Sequence, residues 1–419
     1  MDKTTQRTEH FIGLEWLRFL LGCYIMIYHT LHVYPQAKSI PFLSELSGMG
    51  FFATSTFFVL SGFLLTHVYS RDGKMRESTK RFWAKRLFNL YPIHIVALLS
   101  AIGVVALMQW LAIPPEGAAA SPRFVIYDTN EQLSSEAREL LRHYMTNPEL
   151  ILNLVLQVFM LQAWNPYFLT FNAPLWSIST LFFFYLTFPV LAPRLMSSRW
   201  PKLIFMLLWA LYLLPPVWAV WQHLYGMPYT GLLQRNPLLR LPEFLAGIIS
   251  YALFTRYRHT AICQRIFWRT AAALFVAGCF VVAMLLITRT EGRHWYFLLH
   301  NGLLLPAQCI LVVLCALLHL PQNNRWLEHW SPRLGATSLS IFALHVPLFN
   351  LFRTVEQLIR GAPSLCVNDW QACIAAAGNV QLSTPGYLLY LTLTILICLL
   401  FQERFVVPVR LWLTRRYLK

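Results

Sequence analysis

Residues 48–69, GMGFFATSTFFVLSGFLLTHVY, and the segment after them, 70–86, SRDGKMRESTKRFWAKR, decide the fold. The first stretch contains no Asp, Glu, Lys or Arg, and as a helix it would reach about 33 Å, enough to cross ~30 Å of hydrocarbon. The second crowds Arg71, Lys74, Arg76, Lys80, Arg81, Lys85 and Arg86 into one short connection. Short basic connections stay on the cytoplasmic side of a membrane. Together the two stretches read as a membrane span with its sidedness attached.

Working outward, apolar runs of similar length recur at 11–33, 87–112, 175–193, 203–221, 238–254, 270–288, 297–318, 336–357 and 386–403. With 48–69 these make ten expected spans, so the fold class is all-α, a polytopic membrane helical bundle. An eleventh apolar stretch, 150–163, is too short to cross and fits an interfacial or re-entrant helix. Counting ten spans from a cytoplasmic amino terminus places 23 of the 34 Lys and Arg on one face, as the positive-inside rule requires. Both termini are then cytoplasmic. Counting 150–163 as a span would move the later basic segments to the other face. The formal charge of +16 is thus explained by topology and calls for no nucleic acid partner. A charged fraction of only 12% excludes a water-soluble fold.

Residues 1–419 read as one integral membrane domain with no fused soluble domain, and 113–174 as its largest extracytoplasmic segment, with a short helix expected at 132–145. The amino terminus is basic and then apolar, but Glu15 and Arg18 interrupt the run and no small-residue cleavage site follows, so it is taken as a retained helix. No pair of similar halves of the transporter kind is visible. Cys366 and Cys373 share the expected extracytoplasmic segment 358–385, where oxidising conditions allow a disulfide. The other six cysteines read as small core residues or, for Cys263, as part of a cytoplasmic segment.

Ionisable groups inside spans are costly and need a partner, a wet cavity or a function. The first span carries Glu15, Arg18 and His29. Arg18 and His29 are eleven residues apart, three turns plus about 20°, so they share a helix face about 16 Å apart along its axis. Two readings stand side by side: a polar stripe linking the two membrane faces, or an Arg18–Glu15 pair with His29 bonded at the interface. In the second span Ser61 and Gly62 favour close helix packing. In KRFWAKR, Arg81, Lys85, Arg86 and Trp83 serve as topogenic charge with an aromatic anchor, or as a site for a phosphorylated ligand. NAPLWSIST brings Trp176 and Ser177 to the start of the fourth span, RLPEFLAG sets Arg240 and Glu243 as a mutual ion pair, and SLSIFALHVPL places His345 in the ninth. Glu403 and Arg404 read as an interfacial pair. No His/Asp/Glu cluster with metal-ligand spacing is present, so no metal is expected.

Taken in order, LEWLRFLLGCYIMIYH, FFVLSGFLL, KRLFNLYP, PLWSIS, RLPEFLAG and SLSIFALHVPL resemble the acyltransferase-3 family, integral membrane enzymes that acylate sugars and other envelope or secreted molecules. The resemblance covers nearly the whole chain. It departs at two places: the family often has two Arg three apart before the Tyr-Pro, whereas Arg86 is followed by Asn89 here, and its WSLS motif usually precedes one or two Glu, whereas WSIS here precedes Thr180, Leu181 and Phe182.

The resemblance implies a multi-pass protein of the bacterial inner (cytoplasmic) membrane. Arg18 and His29 would line its active site, and Arg86, Lys85, Arg81 and Trp83 would stand near the donor entrance. The implied donor substrate is an acyl-CoA, acetyl-CoA in the first instance, with no permanently bound cofactor. The implied acceptor is a hydroxyl of a glycan or glycolipid. His29 suits a general base or an acyl carrier, and Arg18 suits orienting the donor or polarising its thioester. With no hydrolase-like domain fused, acylation is either direct or completed by a separate extracytoplasmic acyl-transfer partner. The rival readings are a transporter or flippase of lipid-linked glycan, for which intramembrane Arg and His also serve, and an inactive scaffold of an envelope-polymer system.

Overall fold

A computed structural model describes residues 11–71, 73–113, 125–127, 145–290, 293–318 and 324–418, so the helix expected at 132–145 lies outside them but for Met145. The main helices are α1 (Ile12–Thr30), α2 (Gly50–Tyr69), α3 (Thr79–Trp110), α4 (Asn147–Val158), α5 (Trp176–Met196), α6 (Pro201–Trp221), α7 (Pro237–Tyr257) and α8 (Ile266–Arg289). They continue with the bent pair α9 (His294–Leu303 and Leu305–Ala316), α10 (Arg325–Arg360), α11 (Thr384–Phe401) and α12 (Val407–Tyr417). Strands among the described residues form only two short antiparallel pairs, Ser70–Arg71 with Lys74–Met75 and Val125–Tyr127 with Phe168–Thr170.

Among the described residues eight helices are long and apolar enough to cross a membrane, or up to nine if the bent pair is one span. The span expected at 11–33 is helical, as α1, but is not among them. Its Glu15, Arg18 and His29 make it too polar to qualify on composition, and it is sheltered by α2, α9 and α10. The buried share separates centre from rim. The most apolar stretch of Leu43–Tyr69 is 83% buried, whereas those of Pro201–Trp221 and Ile266–Arg289 are 17% buried and present their side chains outward. Close approach in the centre depends on glycine: a Cβ on Gly62 would lie 2.1 Å from the Phe244 carbonyl oxygen, and one on Gly247 2.0 Å from that of Val59.

Several boundaries differ from the sequence reading for identifiable reasons. Helix α3 begins at Thr79 rather than 87, because the Ser78 hydroxyl caps it by accepting the Arg81 N–H. The basic run KRFWAKR is therefore helical. The span expected at 297–318 breaks: Asn301 and Gly302 leave helical geometry, Gly302 at φ +113°, and the two halves are bent by 43°. The carbonyls freed at the break are taken by Trp209 Nε1, 2.8 Å from the Gly302 oxygen, and Arg240 Nη1, 2.9 Å from that of His300. Helix α11 runs through a π-helical turn, Gln402–Val406, into α12.

The stretch at 150–163 overlaps α4, twelve residues closed at their start by a Thr146/Glu149 capping box and ending at Val158. Its Ile151, Leu152, Leu154 and Val155 face outward while Asn153 and Gln157 are buried, an inversion that suits a helix whose surroundings are lipid. Cys366 and Cys373 are joined in a disulfide, and the other six cysteines are free.

Candidate active site

Arg18 and His29 sit in different cavities, at opposite ends of α1. The arginine cavity, of about 270 Å³, is lined by Glu15 and Arg18 of α1, Ser61 and Tyr69 of α2, Arg86 and Asn89 of α3, Leu181 and Tyr185 of α5, Leu339 of α10, Gln402 of the π turn and Arg410 of α12. Arg18 Nη1 lies 3.3 Å from Glu15 Oε2, so the expected i, i+3 pair forms inside the cavity rather than instead of it. The pair leans away from His29. Arg86 donates from Nη2 to the Tyr69 hydroxyl, with its guanidinium carbon 4.8 Å from the centre of that ring. Its Nε–H is buried and has no hydrogen-bond partner among the described residues.

The start of α3 at Thr79 sorts the basic run into faces. Arg86 and Asn89, three apart, point into the cavity with Ile93. Lys85 and Arg81 both turn to Glu77 instead, Arg81 Nε at 3.8 Å, and Trp83 is exposed. Of the four residues expected at the donor entrance, the cavity receives Arg86 alone. Ser61 lines it too, its hydroxyl donating to the Phe57 carbonyl at 2.8 Å.

The histidine cavity, of about 430 Å³, is lined by Tyr28, His29, Leu31, His32, Ser44, Ser47 and Gly48. Here α1 and α10 bring together two motifs far apart in sequence. His29 Nδ1 is 2.9 Å from His345 Nε2, the ring planes are 8° apart, and His345 Nδ1 is 3.0 Å from the Ile341 carbonyl oxygen. A carbonyl only accepts, so the hydrogen-bond network assigns the proton of a neutral His345 to Nδ1. Its Nε2 then accepts from His29 Nδ1–H. That leaves the lone pair of His29 on Nε2, and the residue lines the cavity. His345 is fully buried and so holds this tautomer in place.

The remaining sequence candidates build structure. Arg240 and Glu243 form the expected pair, 3.1 Å apart and buried. Tyr212 donates to Glu243 at 2.8 Å, and Arg240 reaches Ser55 Oγ at 2.8 Å as well as the broken turn of α9. Ser177 donates to the Pro174 carbonyl at 2.8 Å and Trp176 stands edge-on to Phe58. Glu403 pairs with Arg333, Nη2 to Oε2 2.9 Å, rather than with Arg404. Helix α10 begins well before the expected 336 and carries Arg333 to the Glu403 carboxylate. Among the described residues no group of three or more His, Cys, Asp or Glu is placed to hold a metal ion. Sequence reasoning missed Asn89, Tyr185, Gln402 and Arg410 as cavity residues. Asn89 carries a signal only in its spacing of three from Arg86, and none marks the other three, because separate elements supply them.

A bundle of apolar helices with two polar cavities at the ends of one central helix has the architecture of a multi-pass membrane protein. Residues 11–403 match the acyltransferase domain of the acyltransferase-3 family, and the chain belongs to that family. It is 30% identical over 195 residues to the acyltransferase MdmB of Streptomyces mycarofaciens, covering 45% of this chain and 40% of that protein. It is 23% identical over 394 residues to the peptidoglycan O-acetyltransferase OatA of Listeria monocytogenes, covering 90% of this chain and 55% of that one. The chain thus spans about half the length of these relatives. No solved structure matches it.

Proposed function

We propose that this protein is a membrane O-acyltransferase that takes an acyl group, most simply acetyl, from cytoplasmic acyl-CoA and places it on a hydroxyl of a cell-envelope glycan or glycolipid. In this reading α1 and the bent pair complete ten spans and both termini are cytoplasmic in a bacterial inner membrane. The arginine cavity, beside the basic connection 70–86, faces the cytoplasm. The Cys366–Cys373 disulfide in the segment read as extracytoplasmic supports that polarity.

The observation that carries the reading is the His29–His345 bond. With Nδ1–H committed to His345, His29 Nε2 takes the proton of an acceptor hydroxyl as that oxygen attacks the thioester carbon. The C–S bond breaks, the thiolate leaves, and the imidazolium returns the proton to sulfur. His345 acts through His29 and is a positioning residue. Arg18 and His29 are about 16 Å apart along α1, too far to touch one carbonyl, so Arg18 holds the donor and does not polarise its thioester.

The test is to supply labelled acetyl-CoA to membranes containing the protein and follow label into extractable glycan and lipid, beside His29→Ala and Arg18→Ala. Label transfer that disappears with His29→Ala supports the reading. Substrate movement without consumption of acetyl-CoA would overturn it in favour of a transporter.

A further inference from the structure

The arginine cavity holds three guanidinium groups and, among the described residues, one carboxylate, Glu15, which pairs with Arg18. Arg86 and Arg410 pair with no carboxylate among the described residues. Leu181 of α5 is part of the wall and adds no charge to it. The cavity therefore carries uncompensated positive charge, an arrangement that costs energy empty and is relieved by a phosphate-bearing ligand.

Arg410 enters from the far end of the chain. Its Nη1 donates to Asn89 Oδ1 at 3.1 Å, and Asn89 occupies the position at which the resemblance expects a second arginine. In an unbroken α-helix, Gln402 and Arg410 are eight positions apart, two turns plus about 80°, and would face different ways. The π turn at Gln402–Val406 absorbs one extra residue. Both side chains consequently line the same cavity. One N–H of the five on the Arg410 guanidinium is spent on Asn89, and the residue lines the cavity together with Arg86 and Arg18.

We propose that Arg410 is a donor-binding residue: it offers the phosphate groups of a phosphopantetheine-type thioester a second guanidinium beside Arg86, with Asn89 as its bracket. The inference rests on the acyl-CoA reading above. A cavity of about 270 Å³ is smaller than the usual roughly 300–1,000 Å³ of a drug-sized pocket. At that size it would hold the phosphate and the near part of the arm, with the nucleotide end outside it.

The experiment compares wild type, Arg410→Ala, Arg410→Lys and the double variant Arg410→Ala with Asn89→Arg, each purified in lipid nanodiscs and checked for thermal melting. Acetyl transfer is measured with acetyl-CoA and with acetyl-pantetheine, which lacks phosphate. The expected result for Arg410→Ala is a KM for acetyl-CoA raised about 10- to 100-fold with kcat within about threefold. The ratio of variant to wild-type KM should collapse toward unity with acetyl-pantetheine, and Asn89→Arg should restore most of the loss. Arg410→Lys, which keeps charge without the planar fork, should fall between, and it stands in for Ala if that variant does not fold. A wild-type enzyme that turns over acetyl-CoA, with KM unchanged in the variants or raised equally for both donors, overturns the role of Arg410 and leaves the acyltransferase reading standing. A wild-type protein that neither binds CoA nor consumes acetyl-CoA overturns both.

Discussion

The two cavities at the ends of α1 hold their polar groups in opposite ways. In the arginine cavity, guanidinium groups from three helices converge with, among the described residues, a single carboxylate, and Arg86 leans on the Tyr69 ring. In the histidine cavity, two imidazoles are locked in a single file from the Ile341 carbonyl to the cavity wall. Fixed charge binds anions but moves no proton at neutral pH, since Arg stays protonated; an ordered imidazole pair does the reverse. In the proposed reading, one helix separates donor binding from proton transfer by about 16 Å.

The largest effect should come from breaking the proton file. Replacing His29 with Ala is expected to lower kcat roughly 10²- to 10⁴-fold with donor KM little changed, read by label transfer from acetyl-CoA. Next, Glu243→Ala tests whether the comparison is confined to the two cavities. Stranding Arg240 beside the broken turn of α9 should cost about 3–5 kcal/mol of stability, seen as a lower melting temperature, with KM and kcat of the surviving protein near wild type. His345→Ala should lower kcat on the order of 10²-fold, and a change in the pH profile of kcat would separate positioning of His29 from simple packing. At the arginine cavity the direction reverses: Arg86→Ala and Arg18→Ala should each raise donor KM about tenfold with kcat largely kept. The smallest effect belongs to Lys85→Ala and Trp83→Ala, which lie off the cavity wall and should alter donor KM by less than about threefold. Equal losses of kcat from Arg86→Ala and His29→Ala would erase the division of labour.

Most helices were legible because crossing hydrocarbon demands about 20 apolar residues, a signal that survives without neighbours. The shared face of Arg18 and His29 was legible from helical period alone. The face that Lys85, Arg81 and Trp83 would take was not, since it depends on the Ser78 cap starting α3 two turns early. The α9 break was hidden as well: Asn301 and Gly302 in an apolar run are tolerable in a straight helix, and only Arg240 and Trp209 waiting at the break make leaving it favourable.

The sequence by itself determined the class of fold, the family, the polar helix at its centre and the two residues that mark its ends. These follow from hydropathy, charge asymmetry and local spacing, each a property of a continuous stretch. Tertiary structure alone decided the partners: His345 beside His29 across 316 positions, and Arg410 beside Asn89 across 321. Those pairings depend on which helix faces which and on one residue of π-helical register, and no local pattern encodes either.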